Sequence, residues 1–352
     1  MAYTIKQKAK RTFISVYHAL GVDKILVFLN VGSFKRQVQE AFSRFLSEEE
    51  KNDMKLRKEL YGDIKRCFYV YLTTPQEYFL FGFKDNKDDA YRTTFLSDNV
   101  KIRTLLKVTG EKAFVEELID KMGFYRLCSD YFQRKCMLFN EHTKLEDFLE
   151  CFNGKAVFAK VMNGSFGSGA VSFDVSNKEA YEKLKKTGET YIVEERITQS
   201  IEMAKWNQSS VNTIRVPSFL YNGKFEIVKP VLRTGRAGSI VDNAGGGGII
   251  SCINVETGVI ESGGNNEANQ HFETHPDSGM RFIGWRVPHW EELKSLVEKI
   301  HRKCMSNHRY IGWDFALTEN GWVLIEGNWG QFLSQYVDKV GLKDKFMEYV
   351  HL

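Results

Sequence analysis

IGWDFALTENGWVLIEGNW, residues 311–329, sets one acid, Asp314, against a Glu-x-Asn triplet, Glu326 and Asn328, across the pair Asn320-Gly321. Two apolar runs flanking Asn-Gly predict a β-hairpin. Side chains alternate along a strand, so Glu326 and Asn328 point to the same face. Positions 314 and 326 are equidistant from 320, so an odd loop length or a bulge places Asp314 opposite Glu326. A plain two-residue Asn-Gly turn instead pairs Asp314 with Gly327 and turns Glu326 away. With the acids facing each other, two carboxylates and an amide oxygen converge. Such carboxylates repel unless a cation neutralises them, and an all-oxygen set suits Mg2+ bound together with phosphates. An ordinary hairpin with solvated acids on one face is the alternative.

At 352 residues the chain is long enough for two or three packed lobes without disulfide staples. Its composition, 43% hydrophobic and 13% aromatic, is that of a globular protein. A formal charge of +4 is small for this length, so charge alone implies neither nucleic acid nor an acidic membrane as partner. The cysteines Cys67, Cys128, Cys136, Cys151, Cys252 and Cys304 are scattered, with no CxxC pair. That spacing fits reduced thiols in a cytoplasm rather than a disulfide framework or a zinc site.

The first thirty residues carry a basic start and apolar positions interrupted by His18, Asp23 and Lys24. This is too broken for a membrane span and predicts an amphipathic helix packed on the body. Residues 5 to 95 read as mostly helical, with interleaved charges as in SEEEKNDMKLRKELYGDIKR forming a solvated face, and residues 99 to 150 continue as helices. Near residue 155 the period becomes strand-like. The expected organisation is a helical domain over 1–98, a small lobe over 99–200 and a large lobe over 201–352.

KAVFAKVMNGSFGSGAVSFDV, residues 155–175, predicts two alternating strands around a glycine-rich turn, where small residues let backbone amides approach an anion. A dinucleotide fingerprint must open a helix, and Ala170 to Val175 reads as a strand. No Gly-Lys-Ser/Thr follows for a Walker loop, and neither HRD nor DFG occurs for a kinase. Lys160 lies just before the turn, where its ammonium reaches whatever phosphates the loop covers. A glycine-rich hairpin tip without a ligand is the alternative.

TYIVEERITQSIE, residues 190–202, is an apolar strand ending in Glu194-Glu195-Arg196-Ile197. An extended segment leaving a sheet edge offers a carbonyl and an amide, the pair that a purine requires, while a strand end leading to a charged turn is the alternative. Further on, Arg215, Lys229 and Arg233 fall on alternating segments around a turn at Asn222-Gly223, so a shared cationic face is feasible. Such cations suit phosphoryl oxygens or a carboxylate, while a solvated basic strand face remains open. Gly245 to Gly248, following Asp242-Asn243, predicts a loop or a close backbone approach to a ligand. His275 lies in a loop, and a helix is expected from Glu291 to Asn307. No Ser-His-Asp order or Cys-His pairing supports covalent nucleophilic catalysis.

In this order, Lys160 with NGSFGSG, YIVEERI, SVNTIRV, VLRTGRAGSIVDN with GGGG, HPDSG with GWRVPHW, and GWDFAL with VLIEGN resemble the ATP-grasp superfamily, most closely its sugar-transfer-associated branch. The resemblance covers roughly residues 120 to 335. It implies an α+β ATP-grasp fold, two α/β lobes clasping ATP, beside a mostly helical N-terminal region. It implies that Lys160 and the flap residues Gly164, Ser165, Gly167, Ser168 and Gly169 hold ATP phosphates, with Lys121 a second cation. Glu194, Glu195 and Ile197 would form the adenine hinge, and Asp314, Glu326 and Asn328 would bind Mg2+. The step that often carries an acidic ribose contact in this superfamily lands on Ile201, with Glu202 adjacent. The N-terminal third also lacks the glycine-bearing strand start usual in its leading domain.

What the resemblance implies for activity is ATP-dependent carboxylate-amine ligation through an acyl phosphate. Arg215, Lys229 and Arg233 would orient that intermediate, and Asp242, Asn243 and His275 would contact the substrate. A uronic acid or an amino acid would be the carboxylate, in polysaccharide or capsule biosynthesis, with glycan-assembly machinery as a peripheral partner. Two other readings stay open: an ATP- or glycan-binding component without catalysis, and phosphoryl transfer to a hydroxyl.

Overall fold

The computed structural model describes residues 32–110, 115–162, 169–240, 247–330 and 332–350. The expected N-terminal amphipathic helix, flap residues Gly164, Ser165, Gly167 and Ser168, and Asp242 and Asn243 lie outside them. The chain divides into two units, one running to Val108 and recovering Asp338–Leu352, the other Thr109–Val337. The helical unit therefore extends past residue 98 and includes a C-terminal segment expected in the large lobe.

In the helical unit, α1 (Gly32–Phe45), α2 (Glu48–Asn52), α3 (Met54–Tyr71), α4 (Pro75–Leu80), α5 (Asp89–Arg92) and α6 (Asp98–Thr109) follow one another. Local signals start them. Ser47 and Glu50 form a capping box before α2, Asp53 caps α3, and Thr74 with Glu77 caps α4, which opens on Pro75. Their apolar faces bury Phe42, Phe79, Phe81, Phe83 and Phe95 together. Arg92, 1% exposed, forks onto Asp63 at 2.9 and 2.7 Å within that aromatic core. The returning segment is fastened by Lys339 Nζ donating to the Leu80 carbonyl at 2.7 Å and the Lys343 amide donating to the Thr94 carbonyl at 2.9 Å.

The second unit carries two antiparallel sheets. Helix α7 (Lys121–Phe132), capped by Asp120, leads into β1 (Cys136–Phe139), and α8 (Leu145–Phe152) into β2 (Val157–Val161) and β3 (Val171–Phe173). Helix α9 (Lys178–Lys186) and β4 (Tyr191–Glu195) complete a sheet of order β1-β4-β2-β3. β1 falls where the sequence period reads as continuous helix. Four residues are too few to show alternation, and pairing with β4 makes them a strand. Val157, Ala159, Tyr191 and Val193 face α8 and α9 in a core with Phe148 and Leu184. Alternation therefore sends Lys160 and Glu194 to the opposite face.

After α10 (Ile201–Ala204) come β5 (Thr213–Tyr221), β6 (Lys224–Ile227), β7 (Val231–Thr234), β8 (Ile249–Cys252), β9 (Gly264–Asn266) and β10 (His271–Phe272). Helix α11 (Trp290–Cys304) precedes β11 (Tyr310–Thr318), β12 (Gly321–Asn328) and α12 (Ser334–Val337). The large sheet runs β10-β9-β8-β7-β5-β11-β12, with β6 also on β5. α11 packs on β5 and α7 on β12. Behind β11, Trp313 Nε1 donates to Ser218 Oγ at 2.8 Å, and Ser218 Oγ lies 2.8 Å from His301 Nδ1. His301 Nε2 donates to the His308 carbonyl at 2.8 Å, and burial pushes its pKa down to about 4, so the ring is neutral. This network fixes the strand that carries Asp314 from its far side. No described helix is long and apolar enough to cross a membrane, and the six cysteines form no disulfide.

Candidate active site

The hairpin closes with Thr318 opposite Gly321, leaving Glu319 and Asn320 as the loop. That register alone would set Asp314 against Ile325. A bulge on β12 inserts one residue between Leu324, which faces Phe315, and Glu326, which faces Asp314. The expected pairing is therefore reached through a bulge, with the turn one residue earlier than Asn-Gly suggests. Two residues further along the ladder, on the same face, Gly312 faces Asn328. A Cβ at Gly330 would fall 2.4 Å from Asn328 Oδ1 and 2.6 Å from Arg215 Nη1, so the absent side chain there is required by close packing.

Arg215 on β5 stands opposite Asp314 in register. Its guanidinium grips both carboxylate oxygens, Nε to Oδ1 at 2.5 Å and Nη2 to Oδ2 at 2.8 Å. Arg233 on β7 donates to Oδ2 at 3.1 Å. Asp314 is 2% exposed. Burial raises its pKa, but Arg215 and Arg233 outweigh that and hold it at about 2. Glu326 has the opposite balance: burial and the facing Asp314 push its carboxyl up, against Lys160, Arg215 and Lys121.

From the small sheet, Lys160 Nζ sits 2.5 Å from Glu194 Oε1. Arg134, between α7 and β1, donates from Nε to Glu194 Oε2 at 2.6 Å and sets Nη2 against the same oxygen. Burial raises the Glu194 pKa, and the two cations reverse this to about 2. Burial lowers Lys160, but Glu194 and Glu326 leave it raised. Lys121, the first residue of α7, is lowered by burial and feels Glu326 and Lys160.

Glu194 therefore contributes stability that is present above its unfolded pKa of 4.5 and is lost as pH falls toward 2. Glu194→Gln, which strands both cations at neutral pH, should be less stable than wild type at pH 6. The gap should narrow below pH 4.5 at up to about 1.4 kcal/mol per pH unit and close only as pH falls through about 2. Urea titrations across that range measure it, and a pH-independent gap refutes the assignment.

At the end of β4 the Glu195 amide donates to the Lys135 carbonyl at 3.0 Å, and just past it the Arg196 amide donates to the Ala156 carbonyl at 2.9 Å. Among the described residues the Glu195 carbonyl and the Ile197 amide have no hydrogen-bond partner. The Glu195 side chain turns to Lys155 at 2.8 Å.

Residues 92–349 match the model of the sugar-transfer associated ATP-grasp family. The chain belongs to that family. It is similar to the solved ATP-grasp ligase PsnB complexed with a phosphomimetic variant of minimal precursor, Mg and ADP, over 72% of this chain and 65% of that one, with 10% identity and a TM-score of 0.42. It is similar to D-alanyl-alanine synthetase A from Vibrio cholerae over 60% and 55%, with 15% identity and a TM-score of 0.36. For N5-carboxyaminoimidazole synthetase from Staphylococcus aureus complexed with ADP, the coverage is 61% and 45%, the identity 13% and the TM-score 0.36. The chain spans less than two thirds of the length of each. No curated protein matches it.

Within this ATP-grasp chain, Asp314, Glu326, Asn328, Arg215 and Arg233 come together, and Lys160, Glu194 and Lys121 face the same cluster electrostatically. Lys229 does not join them. Its backbone is left-handed, with φ 49°, just before β7, which breaks the strand alternation, and its ammonium lies 3.7 Å from Glu261. His275 is buried, bonds the Gly235 carbonyl through Nε2 at 3.0 Å and packs beside Trp206 and Phe282. Burial lowers its pKa, and it fastens the loop before Arg236. Glu202 lies in the first turn of α10 and is exposed. Gly169, with φ 74°, packs at the foot of the flap, where a Cβ would come 2.7 Å from Val161 Cγ2. Arg134 has no counterpart among the sequence candidates, because nothing in QRKC marks it.

Proposed function

We propose that the chain is an ATP-dependent carboxylate-amine ligase that uses ATP and Mg2+ to form an amide through an acyl phosphate. The observation that carries this is the charge balance of one buried cluster. Among the described residues, Lys121, Lys160, Arg134, Arg215 and Arg233 set five cations against three carboxylates, Glu194, Asp314 and Glu326. A buried surplus of positive charge is costly unless a polyanion completes it, and a nucleoside triphosphate does so.

The donor set fits a hard cation. Buried Asp314 faces half-buried Glu326 across the ladder, with Asn328 two residues further on, and among the described residues neither thiolate nor imidazole joins them. Among the described residues no group of three His, Cys, Asp or Glu that could by itself hold a metal ion is found, so phosphate and water would have to complete the shell of a Mg2+ bound here. Mg2+ held by Glu326, Asp314 and Asn328 would supply charge neutralisation at the phosphoryl oxygens.

The chain's own residues divide the remaining work. The Glu195 carbonyl and Ile197 amide match the exocyclic amine and ring nitrogen of adenine. Lys160 and Lys121 hold the phosphates. The substrate carboxylate attacks the γ-phosphorus, ADP leaves, and Arg215 and Arg233 steady the acyl phosphate and the oxyanion formed when an amine displaces phosphate. The sugar-transfer association of the family supports a uronic acid, or an amino acid joined to one, in polysaccharide biosynthesis in the cytoplasm. Incubating the protein with Mg2+, ATP, uronic-acid glycans and mixed amino acids should release ADP and free phosphate. Mass spectrometry should find acceptor plus amine less one water. Phosphate retained on the acceptor would instead make it a phosphotransferase, and absence of both ADP and ATP binding overturns the reading.

A further inference from the structure

Arg134 lies in the irregular turn between α7 and β1, yet its side chain is 5% exposed and meets partners far along the chain. Nε donates to Glu194, whose other oxygen receives Lys160. Nη1 donates to the Leu324 carbonyl at 2.7 Å and to the Phe132 carbonyl at 3.0 Å. The guanidinium carbon lies 4.9 Å from the Phe132 ring centroid, which limits its tilt. Leu324 is the last residue in register before the bulge, and the bulge is what turns Glu326 toward Asp314.

We propose that Arg134 is a positioning residue that couples the phosphate-holding lysine to the metal-holding strand. One planar guanidinium orients the Glu194 carboxylate, and hence Lys160, while fixing the Leu324 carbonyl beside the bulge that aims Glu326. Two requirements follow from its chemistry. The five donors of arginine lie in a rigid fork, so both acceptors can be served at once, in a fixed relation to each other. An ammonium at this position reaches one acceptor or the other with a single point charge. Without Arg134, the Glu194 carboxylate also loses the guanidinium that shares its charge with Lys160, which holds that lysine away from phosphate.

The proposal rests on the ligase reading, and the test separates the two. Calorimetric titration of wild type, Arg134→Lys and Glu194→Gln with ADP, at a series of Mg2+ concentrations, gives ADP affinity and the Mg2+ concentration at half-saturation without requiring turnover. Arg134→Lys should bind Mg·ADP about tenfold more weakly and need more Mg2+ for half-saturation. Glu194→Gln keeps the Leu324 contact, so it should weaken ADP binding while its Mg2+ half-saturation stays within about twofold of wild type. A merely structural Arg134 would lower Tm with both binding parameters unchanged, which overturns the proposal. If Arg134→Lys does not fold, Glu194→Gln decides: equal shifts of both parameters overturn it. Wild type that binds no Mg·ADP sinks the ligase reading and the proposal together, whereas wild type that binds beside an unaffected Arg134→Lys sinks the proposal alone.

Discussion

Glu326→Gln lowers turnover by about a thousandfold or more while leaving the protein at least as stable as wild type. The two effects have one cause. Burial and the facing Asp314 raise the Glu326 carboxyl, so the folded state binds its proton more tightly than the unfolded chain does. The stability associated with that proton is fully present at low pH and is lost as pH rises through the raised pKa. Without divalent metal, ionising Glu326 beside Asp314 opposes folding, and a neutral glutamine of the same shape removes the repulsion. The catalytic loss comes from the same substitution, because the amide provides no second charge for a cation beside Asp314. Differential scanning calorimetry with and without Mg2+ and ADP separates the contributions. Wild type should gain Tm on adding Mg2+ with ADP by ligand linkage, and the variant should gain much less. A variant retaining a third of wild-type activity, or one that unfolds, would remove Glu326 from the metal site.

The hairpin was legible because its signals are local: an Asn-Gly pair, flanking apolar runs and a Glu-x-Asn triplet whose parity is set by strand geometry. The need for a bulge followed from the chemistry of facing acids, but its position at Ile325 did not, because the strand beside it and the Arg134 donor on the Leu324 carbonyl come from distant parts of the chain. Lys160 and Glu194 share a face for the same reason of parity, with apolar Val157, Ala159 and Val193 marking the other side. Parity also made Lys229 look like a companion of Arg233. That inference fails where the backbone turns left-handed at Lys229, a feature its side chain does not announce. Arg134 was invisible because its acceptors on Glu194 and Leu324 lie 60 and 190 residues away. The return of the C-terminal segment to the helical unit is equally a matter of long-range packing, made by Lys339 and Lys343 on carbonyls of Leu80 and Thr94.

Arg215→Met should destabilise the protein by about 3 to 5 kcal/mol, the largest stability loss expected at the site. Arg215 and Asp314 are cross-strand neighbours on β5 and β11, 7% and 2% exposed, and two of the guanidinium's donors occupy both carboxylate oxygens. A buried ion pair is weak evidence for stability against an apolar replacement of both partners, but breaking one side leaves a desolvated charge. Arg233 remains on Oδ2 at 3.1 Å and limits the damage without replacing the bidentate grip. The double variant Arg215→Met/Asp314→Asn removes the stranded carboxylate and should recover more than half of the loss. The coupling energy in a double-mutant cycle should then be a substantial fraction of the single-mutant cost. Urea denaturation of the four proteins at pH 7 measures this. A single variant within about 1 kcal/mol of wild type would mean that Asp314 is already neutralised by other groups. Both variants should lack the proposed ligase turnover, so the recovery of stability without activity would separate the part Arg215 plays in holding Asp314 from the part proposed for it at the acyl phosphate.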